Sequence, residues 1–237
     1  MVRTVVVIPA LNPLNLIIDY VIKLKELNID KIIIINDGSD EKYNTIFKKL
    51  QNIEWCIVLD HKENLGKGRA LKTGFLYVLT QYKKVDSIIT VGAHGQHRIE
   101  EVGQILRHAE LFSDGIILGV RNFHTKDMPL ISTIGNKAAS VLFELFFHKR
   151  LLDTQTGLRC IPKQALPWLI KVKGEDFSFD TNMLVEALKR KVPIYEIPIG
   201  HARVKKNSIM FYDEITNAHK LIQQIITTYT RSKKQHE

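Results

Sequence analysis

The sequence predicts an α/β domain, a mostly parallel central sheet flanked by helices. Three observations carry this reading. Short apolar, β-branched runs bounded by turn residues recur through the first 120 residues. Between them lie stretches whose apolar residues stand three and four apart. The unusual residues gather just after the runs, where a parallel sheet has its carboxyl edge. Continuous apolar runs suit strands buried on both faces. Their alternation with helices gives βαβ units with right-handed crossovers.

Taken in order, strands are predicted over Val5–Ile8, Ile32–Ile35, Cys56–Leu59, Ile88–Thr90 and Ile116–Gly119. The spacing of Leu16, Ile17, Tyr20, Val21, Leu24 and Leu27 predicts a helix, as does that of Leu71, Phe75, Val78 and Leu79. Residues 131–147 read as a long apolar helix through Ile134, Ala138, Val141, Leu142, Leu145 and Phe146. Asp153–Arg159 is polar and rich in turn formers. Helices follow around Pro162–Ile170 and Thr181–Lys189, then a strand over Pro193–Ile199. A last helix spans about Tyr212–Arg231, with Ile215, Ala218, Ile222, Ile225 and Tyr229 on one stripe. Residues 1–211 are thus expected to form the domain, and 212–237 an amphipathic helix with a basic tail.

A chain of 237 residues suits one such domain. Its formal charge of +9 suits either a solvated basic surface or an anionic partner such as a nucleotide, a lipid phosphate or a membrane face. Nucleic acid is not expected, because zinc-ligand spacing, an RNP-type aromatic run and a basic-region heptad are all missing. Cys56 and Cys160 make no disulfide framework, and Cys56 reads as a small buried hydrophobe. The start of the chain enters a strand-like run without a signal-peptide pattern, and no apolar stretch approaches 18 residues. The expected compartment is the cytoplasm, with peripheral contact at the cytoplasmic membrane face.

Three loops stand out chemically. Asn36-Asp37-Gly38-Ser39-Asp40 reads as an Asp-Gly turn or as a carboxylate that accepts hydrogen bonds from a base or ribose. Asn64-Leu65-Gly66-Lys67-Gly68-Arg69 sets two glycines around a lysine at a helix start, a place that favours anions. It is not a Walker A loop. Asp153-Thr154-Gln155-Thr156-Gly157-Leu158-Arg159 is either a capped loop or a pocket segment with Asp153 as base or charge partner and Arg159 nearby. Spacing leaves both readings open.

These loops, with Ile8-Pro9-Ala10-Leu11-Asn12, Gly95-Gln96-His97, Gly119-Val120-Arg121, Gly135-Asn136 and Glu196-Ile197-Pro198-Ile199, follow the order seen in family 2 glycosyltransferases. The chain most resembles the branch that acts on dolichol or polyprenol phosphates, over roughly residues 4–203. The resemblance implies a GT-A fold and inverting transfer of a sugar from a nucleotide-sugar donor. It implies donor contacts from Pro9, Asn12, Asp37, Gly66, Lys67, Gly92, His94 and Gln96. It implies reaction-centre roles for Asp153 and Arg159, and acceptor or phosphate contacts from Arg121, Asn136 and Arg203.

The sequence departs from the family at five acidic positions. The metal-binding Asp-x-Asp segment reads Gly92-Ala93-His94, so both aspartates are replaced. Pro13, Asn36 and Asn182 also stand where the family has acidic residues. A hard Mg²⁺ or Mn²⁺ wants carboxylate oxygens, so the missing aspartates argue against either as a cofactor while leaving the alternative open. His94 and His97 are the remaining candidate ligands, or ordinary loop histidines. Two functional readings stay open: a transferase that acts without a metal, and a pseudo-transferase that binds a nucleotide or a partner. The expected partners are the donor, a polyprenyl-phosphate or envelope-glycan acceptor, an anionic membrane surface, a second copy of the chain, or an active glycosyltransferase.

Overall fold

A computed structural model describes residues 3–121, 130–200, 223, 226 and 227; for 130–135 it describes the backbone only. A seven-stranded sheet forms the centre, in the order β3-β2-β1-β4-β6-β5-β7. Strands β1 (Thr4–Ala10), β2 (Lys31–Asp37), β3 (Cys56–His61) and β4 (Ser87–Thr90) are mutually parallel. They are joined by helices α1 (Leu16–Lys25), α2 (Asn44–Gln51) and α3 (Lys67–Gln81). Helix α4 (Ile99–Leu111) leads to β5 (Ile116–Arg121), and α5 (Leu130–Phe147) leads towards β6 (Arg159–Pro162). Two more helices, α6 (Leu166–Leu169) and α7 (Ser178–Lys189), precede β7 (Ile194–Ile199).

The apolar runs bury both faces of the sheet, as the sequence predicts. Val5, Val7, Ile33 and Ile35 point to one side and pack with Leu71 and Phe75 of α3, Phe143 of α5 and Phe179 of α7. Val6, Ile8, Ile32 and Ile34 point to the other side and meet Ile17 and Val21 of α1, Phe47 of α2 and Val102 of α4. Alternating residues of one strand serve opposite cores because successive side chains leave a strand on opposite faces. Each fully buried aliphatic side chain contributes roughly 1.5–3 kcal/mol relative to exposure, so these two layers dominate the stability.

Strand β6 differs from the prediction. Arg159–Pro162 forms a strand antiparallel to both β4 and β5, a 3-10 turn at Lys163–Ala165 follows, and the predicted helix shrinks to Leu166–Leu169. This reversal places the start of β6 at the carboxyl edge of its neighbours. Arg159 pairs with Thr90 of β4 and with Leu118 of β5. The polar segment before it therefore joins the loops that follow β1 to β4. Helix α1 ends at Lys25, before Leu27. Among the described residues, no helix is long and apolar enough to cross a membrane. Arg203 and nearly all of the predicted helix at Tyr212–Arg231 lie outside the described residues, although Gln223, Ile226 and Thr227 are helical.

Candidate active site

The site is built along the carboxyl edge of the sheet, where open α/β sheets place ligands. Asp37, at the last position of β2, is 3% exposed. Its carboxylate accepts hydrogen bonds from the backbone N–H of Leu65 (3.0 Å) and Gly66 (2.9 Å). His61 Nδ1 lies 2.7 Å from Asp37 Oδ1, and His61 Nε2 lies 3.0 Å from Thr73 Oγ1. With Nδ1 donating to the carboxylate, Nε2 accepts from the threonine hydroxyl. Asp37 thus holds the glycine loop to the sheet. His61 was not singled out in the sequence; its place at the end of a strand, opposite Asp37 in the β2–β3 register, is the signal that marks it.

The loops after β1 and β2 are tied together. Asn12, at φ 50°, donates its N–H to Ser39 Oγ (2.9 Å) and accepts from the N–H of Asp40 (2.9 Å). Asn36, where the family has an aspartate, donates Nδ2 to Asp60 Oδ1 (2.8 Å) and accepts from the Ser39 N–H (3.0 Å). An aspartate here would set two carboxylates against each other, so the amide fits this register better. Pro9 is half-buried within β1, one residue before its end.

The glycine loop turns inward as much as outward. A Cβ on Gly66 would stand 2.5 Å from the Glu175 carbonyl oxygen, and one on Gly68 would stand 2.6 Å from Phe179 Cβ and 2.8 Å from the Gly174 oxygen. These glycines permit close approach of the segment before α7. That segment and the first turn of α7 supply counter-ions: Lys67 pairs with Asp180, Arg69 with Glu175 (2.7 Å), and buried Lys72 with Glu175 (2.9 Å). Lys67 also stands 5.4 Å over the Phe177 ring. Asp180 and Glu175 were not anticipated as partners; the basic positions 67, 69 and 72 on one helix are the signal that asks for them.

The 153–159 segment forms the other wall. Asp153 is fully buried. Its oxygens meet Arg121 Nε (2.7 Å) and Nη2 (3.0 Å), and the N–H groups of Arg121 (3.2 Å) and Gln155 (3.1 Å). Asn136 of α5 donates to the Leu152 carbonyl and accepts from the Thr154 N–H (3.2 Å). Arg159, 1% exposed, gathers the segment from beneath. It donates to the carbonyls of Thr156 (2.9 Å), Thr154 (3.1 Å) and Asp180 (2.8 Å), and stands 3.6 Å from the Asp180 carboxylate. Thr90 Oγ1 and Thr156 Oγ1 donate to the Gly157 and Gly119 carbonyls, which binds the segment to β4 and β5. Glu196 of β7 accepts the Leu152 N–H (2.6 Å), and burial raises its pKa.

Between these walls runs Gly92-Ala93-His94-Gly95-Gln96-His97. The Gln96 amide folds back over Gly92, where its Nε2 lies 2.0 Å from the place of a Cβ. His97 is 3% exposed, and neither ring nitrogen has a hydrogen-bond partner among the described residues. Burial, then the charges of Arg121 and Lys67, push its pKa down to about 3 against the opposing pull of Asp153. Burial also lowers that of His94. Cys56 and Cys160 are buried free thiols pushed up to about 12, inert neighbours of the sheet.

The order of the loops and the sheet edge they share agree with a sequence match: the Glycosyl transferase family 2 model covers residues 5–162. The chain belongs to glycosyl transferase family 2. Among this family 2 transferase's relatives, UDP-N-acetylglucosamine–dolichyl-phosphate N-acetylglucosaminyltransferase of Methanococcus voltae is 30% identical, over 81% of this chain and 83% of that protein. An uncharacterized protein of Methanocaldococcus jannaschii is 30% identical over 82% and 79%. Dolichyl-phosphate beta-glucosyltransferase of Saccharomyces cerevisiae is 24% identical over 82% of this chain and 65% of its own. The fold matches glucosyl-3-phosphoglycerate synthase of Mycobacterium tuberculosis at TM-score 0.72 and 14% identity, over 96% of this chain and 79% of that one. The chain therefore has the GT-A fold that the resemblance implies.

That synthase has been solved with Mn²⁺ and UDP. The residues of this transferase do not fit such an ion. Glycine and histidine replace the aspartates, and the carboxylates of Asp153 and Asp180 are already paired with Arg121 and Lys67. Among the described residues, no three His, Cys, Asp or Glu side chains gather as a metal site.

Proposed function

We propose that this glycosyltransferase moves a sugar, with inversion, from a nucleotide-sugar donor to the phosphate of a polyprenyl- or dolichyl-type lipid. The observation that carries the reading is the engagement of Asp153. It is fully buried and bonded to Arg121 through both oxygens. A general base needs a free basic atom within reach of the proton it takes. A lipid phosphate needs no such base, because its oxygen is already anionic. That oxygen attacks the anomeric carbon opposite the leaving group, the carbon–oxygen bond to the diphosphate breaks, and the electron pair departs with the nucleoside diphosphate.

In this scheme Asp153 and Arg159 act by position. Asp153 aims Arg121, the group that meets the acceptor phosphate, and Arg159 holds the 153–157 loop against α7. Asn136 fastens the same loop. Pro9, Asn12 and Asp37 border the nucleoside end, and Gly66 and Lys67 the phosphates. Relatives that carry the names of UDP-sugar and dolichyl-phosphate transferases support both donor and acceptor class. A lipid acceptor requires the cleft to meet a membrane surface, and the formal charge of +9 suits an anionic one.

The test is a transfer assay with purified protein, vesicles carrying polyprenyl phosphate, and a panel of UDP- and GDP-sugars. A chloroform-extractable sugar phosphate lipid is the expected product. Absence of product from every donor, with nucleotides still bound, would favour the pseudo-transferase reading instead.

A further inference from the structure

The loop after β4 departs most from the family, yet it is closely packed. Gln96 occupies the space beside Gly92 and buries Oε1 without a partner. His97 buries both ring nitrogens the same way, and its Nε2 lies 3.3 Å from the place a Cβ on Gly157 would take. A buried polar group without a partner is costly, so such groups mark a place where a ligand completes the bonding. Three unpartnered atoms on consecutive residues, beside Gly157 of the 153–159 segment, ask for a polar ligand.

The surrounding charge says which kind. Lys67 and Arg121 are the cations that act on His97. A divalent cation would find the carboxylates of Asp153 and Asp180 already paired with Arg121 and Lys67. An anion would be attracted. We propose that Gln96 and His97 form the polar floor of a metal-independent diphosphate site, in which Lys67 and Arg121 supply the positive charge in place of a divalent ion. This rests on the nucleotide-sugar reading above. A departing diphosphate needs its developing charge met by preorganised donors, and fixed cations do this as a metal does.

Without ligand, each cation holds a carboxylate of its own: Lys67 holds Asp180, and Arg121 holds Asp153. The diphosphate competes with Asp180 for Lys67, and Arg121 acts on it by charge while still bonded to Asp153. Asp180 keeps Arg159 at 3.6 Å when Lys67 turns to the ligand, so the exchange leaves no carboxylate alone in the core. The neutral His97 imidazole gives its one N–H to a phosphate oxygen, while its other nitrogen and Gln96 Oε1 accept from hydroxyls of the donor.

The test is calorimetry of the full chain with UDP, and with GDP as the second probe, in excess EDTA and again in Mn²⁺. Affinity in EDTA within about twofold of that in Mn²⁺ supports the site. A gain of about tenfold or more with Mn²⁺, some 1.4 kcal/mol, overturns it. His97→Ala is expected to weaken binding in EDTA about tenfold, and His97→Gln, which keeps an N–H donor, to restore part of it. Unchanged affinity in a folded His97→Ala protein overturns the role of His97. If His97→Ala does not fold, His97→Gln and Gln96→Leu carry the same comparison. Failure of both nucleotides to bind in either buffer overturns the donor reading itself, and this proposal with it.

Discussion

The side-chain amide of Gln96 fills the space that a Cβ on Gly92 would need, with its Nε2 2.0 Å from that point. Position 92 is where the family carries the first aspartate of its metal motif. The chain has thus replaced a ligand with room for another polar side chain.

Gly92→Ala tests this relationship. The obstructing atoms are the far end of a flexible side chain, so the amide can swing away. Stability should change by no more than about 1 kcal/mol, below the cost typical of overpacking a rigid core. UDP affinity should fall, because the displaced amide leaves the floor of the site. Thermal denaturation and calorimetry on the same variant separate the two effects. A destabilised protein with unaltered affinity would make Gln96 a packing residue.

Gly68→Ala should behave in the opposite way. Its Cβ would meet Phe179 Cβ at 2.6 Å and the carbonyl oxygens of Gly174 and Asp176 at 2.8 and 2.9 Å. None of these can rotate aside. The expected loss is about 1–3 kcal/mol. A wild-type urea midpoint would show that α3 can shift away from the segment before α7.

Asp153→Asn should cost stability as well as turnover. The substitution removes the Asp153 charge from beside Arg121, and removing one member of a buried pair costs roughly 3–5 kcal/mol. Arg121 is itself 20% exposed at the side chain, so the lower end applies. Urea denaturation checks the first effect and the transfer assay the second. A fully stable Asp153→Asn protein without turnover would restore the base reading that the sequence left open.

The pH dependence of folding follows from His97. Its pKa lies near 3 when folded, against 6.5 for an unperturbed histidine. Between these values the unfolded chain takes up a proton that the folded chain refuses, so stability falls as pH falls from about 6.5. The slope is at most one proton, about 1.4 kcal/mol per pH unit. Urea midpoints of wild type and His97→Gln between pH 5 and 7 isolate this contribution, above the range where most carboxylates titrate. Parallel curves for the two proteins would place His97 in contact with solvent.

Much of the fold was legible in the sequence, for a physical reason. Strands β1, β2, β4 and β5 are mainly apolar runs buried on both faces, and the edge strands β3 and β7 are half-buried runs still marked by their apolar residues. Strand β6 was not legible. Arg159-Cys160-Ile161-Pro162 is short and opens with a charge, and only its pairing with β4 and β5 makes it a strand. The site was legible as a set of loops, because turn residues and charges mark them. Its ion pairs were not. Asp180 lies 113 positions from Lys67, and Glu175 lies 103 from Lys72, so only the folded chain reveals that these cations already have partners. The buried state of His97 was equally hidden, since a histidine after a glycine-rich turn looks exposed.

The central claim is that this family 2 transferase works on a lipid phosphate without a divalent metal. The most direct measurement is the rate of sugar transfer from a labelled UDP-sugar to polyprenyl phosphate in vesicles, with excess EDTA and with Mn²⁺. Transfer in EDTA at a rate within about twofold of that in Mn²⁺ is the predicted result, since the fixed cations carry the charge of the leaving group. Transfer that stops in EDTA and returns with Mn²⁺ would contradict it.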